Sequence, residues 1–66
     1  MNEYFIKVCI SYYQELSDTE TFFVNAETGK DAWCKLEGQI WEKNEDWMRP
    51  EGKKITNVTL LDIRKL

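Results

Sequence analysis

The sequence predicts a small two-layer α+β domain, a ββαβ chain whose three-stranded sheet carries one helix on a single face. Three observations predict it. Apolar and polar residues alternate through two early runs, the spacing switches to a helical period in the middle of the chain, and a last run is rich in β-formers.

Strand one is expected over about 3–13. Tyr4, Ile6, Val8, Ile10 and Tyr12 fall on one face, and Phe5, Lys7, Cys9, Ser11 and Tyr13 on the other. Residues 14–18 are polar and turn-rich, and a second β-prone run over 19–26 puts Phe22, Val24 and Ala26 on one face with Thr21, Phe23 and Asn25 opposite. The two runs make an antiparallel hairpin. Thr28, followed three residues later by Asp31, has the form of a capping box and opens a helix expected over about 28–44. Its Ala32, Trp33, Leu36 and Ile40 make one apolar stripe, and Gly38 inside the helix costs about 1 kcal/mol relative to alanine. Residues 45–53 read as a loop around Pro50, because the residue before a proline is pushed out of the helical region. Strand three is expected over 54–65. Its alternation slips, so either a bulge sits near Leu60 and Leu61 or both faces of the strand are covered. A right-handed crossover from strand two through the helix then places strand one in the middle, in the order 2-1-3.

Sixty-six residues make one domain, 1–66. The chain opens Met-Asn-Glu, without a basic stretch leading into an apolar one, and no apolar run approaches the roughly 20 residues that cross a bilayer. A cytoplasmic protein with free Cys9 and Cys34 thiols is expected. Twelve acidic residues against nine basic ones give a net charge of −3, which opposes binding to a phosphate backbone.

Catalysis lacks its usual carriers. There is no histidine, so the commonest general base and triad partner are missing. Two cysteines outside a Cys-x-x-Cys arrangement support neither a structural zinc site nor a redox motif. Gly29-Lys30-Asp31 lacks the further glycines and the hydroxyl residue of a phosphate loop. No enzyme activity, cofactor or metal is expected.

What remains is surface. If the helix covers the Ile6 face, Phe5, Cys9, Tyr13 and Phe23 lie on a face that nothing in the chain covers. A second region is Trp41, which sits off the apolar stripe. Either it packs on Trp47 and Met48 of the following loop, or it forms an aromatic anchor rimmed by Glu37, Glu45 and Asp46 and suited to a basic target. The expected function is therefore a non-enzymatic protein-binding domain whose partner is another protein, with a basic one favoured by the acidic balance of the chain. Tentative contact residues are Phe5, Tyr13, Phe23, Trp41, Glu37, Glu45, Asp46 and Trp47. The alternatives are a self-associating assembly subunit, pairing through the open face or an edge strand, and a weak single-strand nucleic-acid binder that stacks bases on the aromatic face.

The layout of a hairpin, a helix opened by residues 26–33 (Ala-Glu-Thr-Gly-Lys-Asp-Ala-Trp) and a closing strand looks like that of many very small phage and mobile-element proteins. The phage antitoxin that blocks bacterial RNase toxins and several anti-CRISPR proteins are of similar size. The resemblance covers length and topology. It implies an inhibitor or adaptor that works by occluding a host protein, such as a nuclease or another nucleic-acid-binding enzyme.

Overall fold

The computed structural model describes residues 1–14, 16–45 and 53–66. The elements run β1 (Asn2–Tyr12), β2 (Ser17–Ala26), α1 (Gly29–Glu42), a short 3-10 turn η1 (Lys43–Glu45) and β3 (Ile55–Lys65). The sheet has the order β2-β1-β3, and both neighbours pair antiparallel with β1. Strands β2 and β3 therefore run parallel to one another with β1 between them, which is why α1 must cross the sheet to connect them.

Strand β1 is central because it carries the most complete alternation. Tyr4, Ile6, Val8 and Ile10 are all buried, whereas Phe5 and Cys9 between them are half-buried and Lys7 is exposed. Ser17 and Asp18, turn residues by composition, belong to β2, where pairing opposite Ser11 and Ile10 outweighs their weak β preference. The Tyr12 amide donates to the Leu16 carbonyl at 2.8 Å and closes the hairpin.

The slip in β3 is a bulge. Lys7 faces Asp62 but Val8 faces Leu60, so Leu61 has no partner on β1. A second irregularity, between Ser11 and Tyr12, leaves Thr56 without one, and the Thr56 hydroxyl donates to the Ser11 carbonyl at 3.3 Å. Each extra residue resets the parity, and as a result Ile55, Val58, Leu60 and Ile63, at uneven spacing, all lie opposite helix-side residues of β1.

Helix α1 begins as its sequence requires. The Thr28 hydroxyl accepts the Asp31 amide at 3.1 Å, and Asp31 puts a negative charge in the first turn. Ala32, Leu36 and Ile40 are buried against the sheet, with Trp33 packed at the margin. At 14 residues the helix is about 21 Å long. The molecule extends 36 Å along its longest axis, so the helix covers little more than half of it. Where the helix ends, the Asn44 side-chain amide makes two bonds to one residue. Its Nδ2 donates to the Ile55 carbonyl and its Oδ1 accepts the Ile55 amide, both at 2.8 Å. This clamp ties the end of the helical segment to the first residue of β3.

Two stability effects follow. Replacing Asn44 with alanine strands both partly buried groups of Ile55, so Asn44→Ala is expected to destabilise by about 2 kcal/mol, or roughly 10 °C in Tm, by thermal or urea unfolding. Gly38 is exposed, and a Cβ there meets nothing within 4 Å. Gly38→Ala is accordingly expected to stabilise the fold by about 1 kcal/mol in the same assay.

Candidate protein-contact surface

Among the described residues nothing covers the face of the sheet opposite α1, and the registers fix what stands on it. Across the strands in the order β2, β1, β3, its rows read Ser17-Ser11-Asn57, Thr19-Cys9-Thr59, Thr21-Lys7-Asp62 and Phe23-Phe5-Arg64, with Asn25 opposite Glu3 beyond the last. Half of the residues on this face carry a hydroxyl or an amide. Its aromatic part is confined to one end, where Phe5 and Phe23 meet edge to face with ring centroids 5.9 Å apart and an interplanar angle of 64°. Phe23 is 65% exposed despite that contact, whereas Phe5 is half-buried. The pair forms because the two residues are directly opposed on adjacent strands, the arrangement in which aromatic side chains interact best.

Tyr13 stands apart from them. It lies in the turn beyond the end of β1, its amide donating to the Lys54 carbonyl at 2.9 Å, and its side chain is exposed. Eight residues of strand separate it from Phe5, about 26 Å, so Tyr13 does not extend the Phe5–Phe23 patch.

The charge on the open face is balanced. Lys7 and Arg64 share it with Glu3 and Asp62, and Arg64 Nε donates to Asp62 Oδ2 at 2.8 Å. Arg64, opposite Phe5, is a cation at this patch that reading the strands one at a time does not locate, because it requires the register after the bulge. The neighbouring Asp62 offsets it, and the face as a whole offers no concentrated positive field for a phosphate backbone.

The helix presents a second surface. Lys35 donates to the Asn25 carbonyl of β2 at 3.2 Å, which orients that flank of α1 toward β2. Trp33, Glu37 and Trp41, spaced i, i+4 and i+8, climb the opposite flank, on the side of β3. Trp33 and Glu37 are half-buried and Trp41 is 37% exposed. Leu60 stands opposite Val8 on the helix side of β3 yet remains 36% exposed, and the bulged Leu61 is 50% exposed. Trp33 packs against the core as its place on the apolar stripe predicts, whereas Leu60 and Leu61 are not identifiable as surface from the sequence, because the parity of β3 depends on its register. Glu45 is exposed in η1. Asp46 and Trp47, together with Met48, lie outside the described residues, and so does the question of whether Trp41 packs on them.

Cys9 is half-buried between Thr19 and Thr59, and Cys34 is exposed on the helix; both are free thiols. Among the described residues no three His, Cys, Asp or Glu side chains converge in a way that could hold a metal ion, and no helix is long and apolar enough to cross a membrane. Comparison with known proteins finds no matching family model, no matching curated protein and no matching solved structure.

The separation of Tyr13 from the aromatic pair has a measurable consequence. Phe23→Ala is expected to cost about 1 kcal/mol by urea unfolding, the value of an edge-to-face pair, whereas Tyr13→Ala is expected to stay within about 0.5 kcal/mol of the unaltered protein.

Proposed function

We propose that this chain is a protein-binding domain without catalytic chemistry of its own, and that the Phe5–Phe23 end of the open sheet face is its contact surface. The observation that carries the reading is the exposure of Phe23. A large aromatic side chain, in edge-to-face contact with its neighbour, holds most of its area in water on a face that no other described element covers. Rigid, exposed aromatics with little conformational freedom left to lose are the residues that dominate protein interfaces.

The partner this surface suits is a protein with an apolar pocket set among basic groups. The net charge of −3 favours encounter with a basic protein; the open face itself is balanced in charge, and the exposed acids nearest to it are Asp18 and Glu20 at the outer margin of β2, on its helix side, and Glu27 just beyond the strand. In this reading the domain acts by occlusion, covering a positively charged surface that its partner would otherwise use, as on a nuclease or another nucleic-acid-binding enzyme. The resemblance in length and topology to small phage and mobile-element proteins supports the same class.

The test compares three forms of the full chain in affinity capture with quantitative mass spectrometry, followed by binding measurements on any protein enriched. Phe23→Glu is expected to weaken the complex by more than about tenfold, and Trp41→Ala to leave it within about twofold. Equal loss with both variants, or loss with Trp41→Ala alone, transfers the contact surface to the helix flank. Tight binding of labelled single-stranded RNA at low salt, with a steep salt dependence, replaces the protein partner with nucleic acid.

A further inference from the structure

The two edges of the sheet carry opposite charge. At β2 the exposed acids Asp18, Glu20 and Glu27 outnumber the one base that reaches the strand, Lys35 of α1 at the Asn25 carbonyl. Residues 53–66, which include all of β3, contain Lys53, Lys54, Arg64 and Lys65 against the single acid Asp62. On β2, Asp18 and Glu20 stand opposite Ile10 and Val8 on the helix side, yet both are exposed at the strand's outer margin, and Glu27 follows the strand's last residue. On β3, Lys54 precedes the strand and Lys65 ends it, both exposed.

The apolar residues fall between the charges in both cases. Phe22 and Val24, on the helix side, lie between Glu20 and Glu27, and Val58, Leu60 and Leu61 lie between Lys54 and Lys65. Asn44 occupies the outer edge of β3 at Ile55, and the strand continues for ten residues beyond that clamp.

We propose that a second copy of this chain docks edge to edge, β3 of one protomer against β2 of the next, continuing the sheet from molecule to molecule. Charge decides between the possible pairings. A two-fold contact of β2 with β2 brings acid against acid, and one of β3 with β3 brings base against base, so each edge is guarded against itself. The unlike pairing is attractive. Because β2 and β3 run in the same direction, a copy placed alongside without being turned over pairs them in parallel. The registers through β1 set Asp18 level with Val58 and Val24 level with Lys65, so a copy displaced by two residues along the strands brings Asp18 beside Ile55, next to Lys54, and Ala26 beside Lys65, with Glu27 following, and the two apolar centres meet. Such a contact is heterologous and leaves a free β2 edge at one end and a free β3 edge at the other, so it does not stop at a dimer. The helices stay on one side and the Phe5–Phe23 pairs on the other. The inference is independent of what binds those aromatics, and Phe23 is not among the residues varied below.

Sedimentation velocity on the full chain over a range of concentrations, at low and high salt, tests it. The weight-average mass is expected to climb past that of a dimer with concentration and to fall as salt screens the contact. Asp18→Lys with Glu27→Lys, and separately Lys54→Glu with Lys65→Glu, are each expected to weaken association by about tenfold or more. All four substitutions in one chain exchange the signs at these four positions and are expected to restore much of it. Circular dichroism checks that each variant is folded; where one is not, Glu20→Lys and Lys65→Glu, singly and together, replace it. A wild-type chain that remains monomeric at millimolar concentration in low salt overturns the proposal. So does a dimer that grows no further, or a four-fold variant that is folded but does not associate.

Discussion

The rest of the structure depends on the two-residue period of β1. This strand is hydrogen-bonded on both sides, so its position is set by the neighbours it pairs with, and its side chains can do no more than alternate. Ile6, Val8 and Ile10, at 0%, 0% and 1% exposure, make up the dry centre of the core. Among the described residues, what packs against the sheet does so on that side, and the Phe5–Phe23 pair stands on the other. A shift of one residue in either ladder would exchange the two sets, burying Lys7 and exposing Ile6, so the register of β1 is specified by the burial itself.

That constraint explains why the fold was legible. The alternation of Tyr4 to Ile10, the Thr28 and Asp31 cap, and the Ala32, Leu36, Ile40 stripe are local signals, each readable without knowing its neighbours, and the crossover rule orders the strands from them. Strand β3 was less legible because its partner decides its parity. Ile55, Val58, Leu60 and Ile63 reach a common side only through residues that β1 does not pair, and an inserted residue appears in a sequence as a broken pattern with two explanations. The hairpin boundary was blurred for a related reason, since Ser17 and Asp18 have turn composition and are held extended by Ser11 and Ile10.

The candidate surface was legible by subtraction. Parity alone places Phe5 and Phe23 on the uncovered face, but not Tyr13 beyond the strand's end, because a parity rule carries no information about where a strand stops. Neither Arg64 beside the aromatics nor Leu60 and Leu61 beside the tryptophan flank can be found without the register of β3. The opposite charges of the two edges were present in the sequence throughout. They acquire a meaning only when the topology puts β2 and β3 on the outside of the sheet, since on adjacent inner strands the same charges would simply face each other.

The bulge at Leu61 bears on how this chain relates to others built the same way. Asp62 and Leu60 face consecutive residues of β1, so Leu61 is an insertion that the strand has absorbed without moving its ladder. A shorter chain lacking that position would present the same apolar side chains to the helix and keep Arg64 opposite Phe5. Sequences with this architecture are therefore expected to differ by a one-residue gap in the middle of β3, a place where gaps are ordinarily penalised as if they broke a strand. Aligning such sequences by unbroken alternation would pair the wrong faces from that point to the end of the chain.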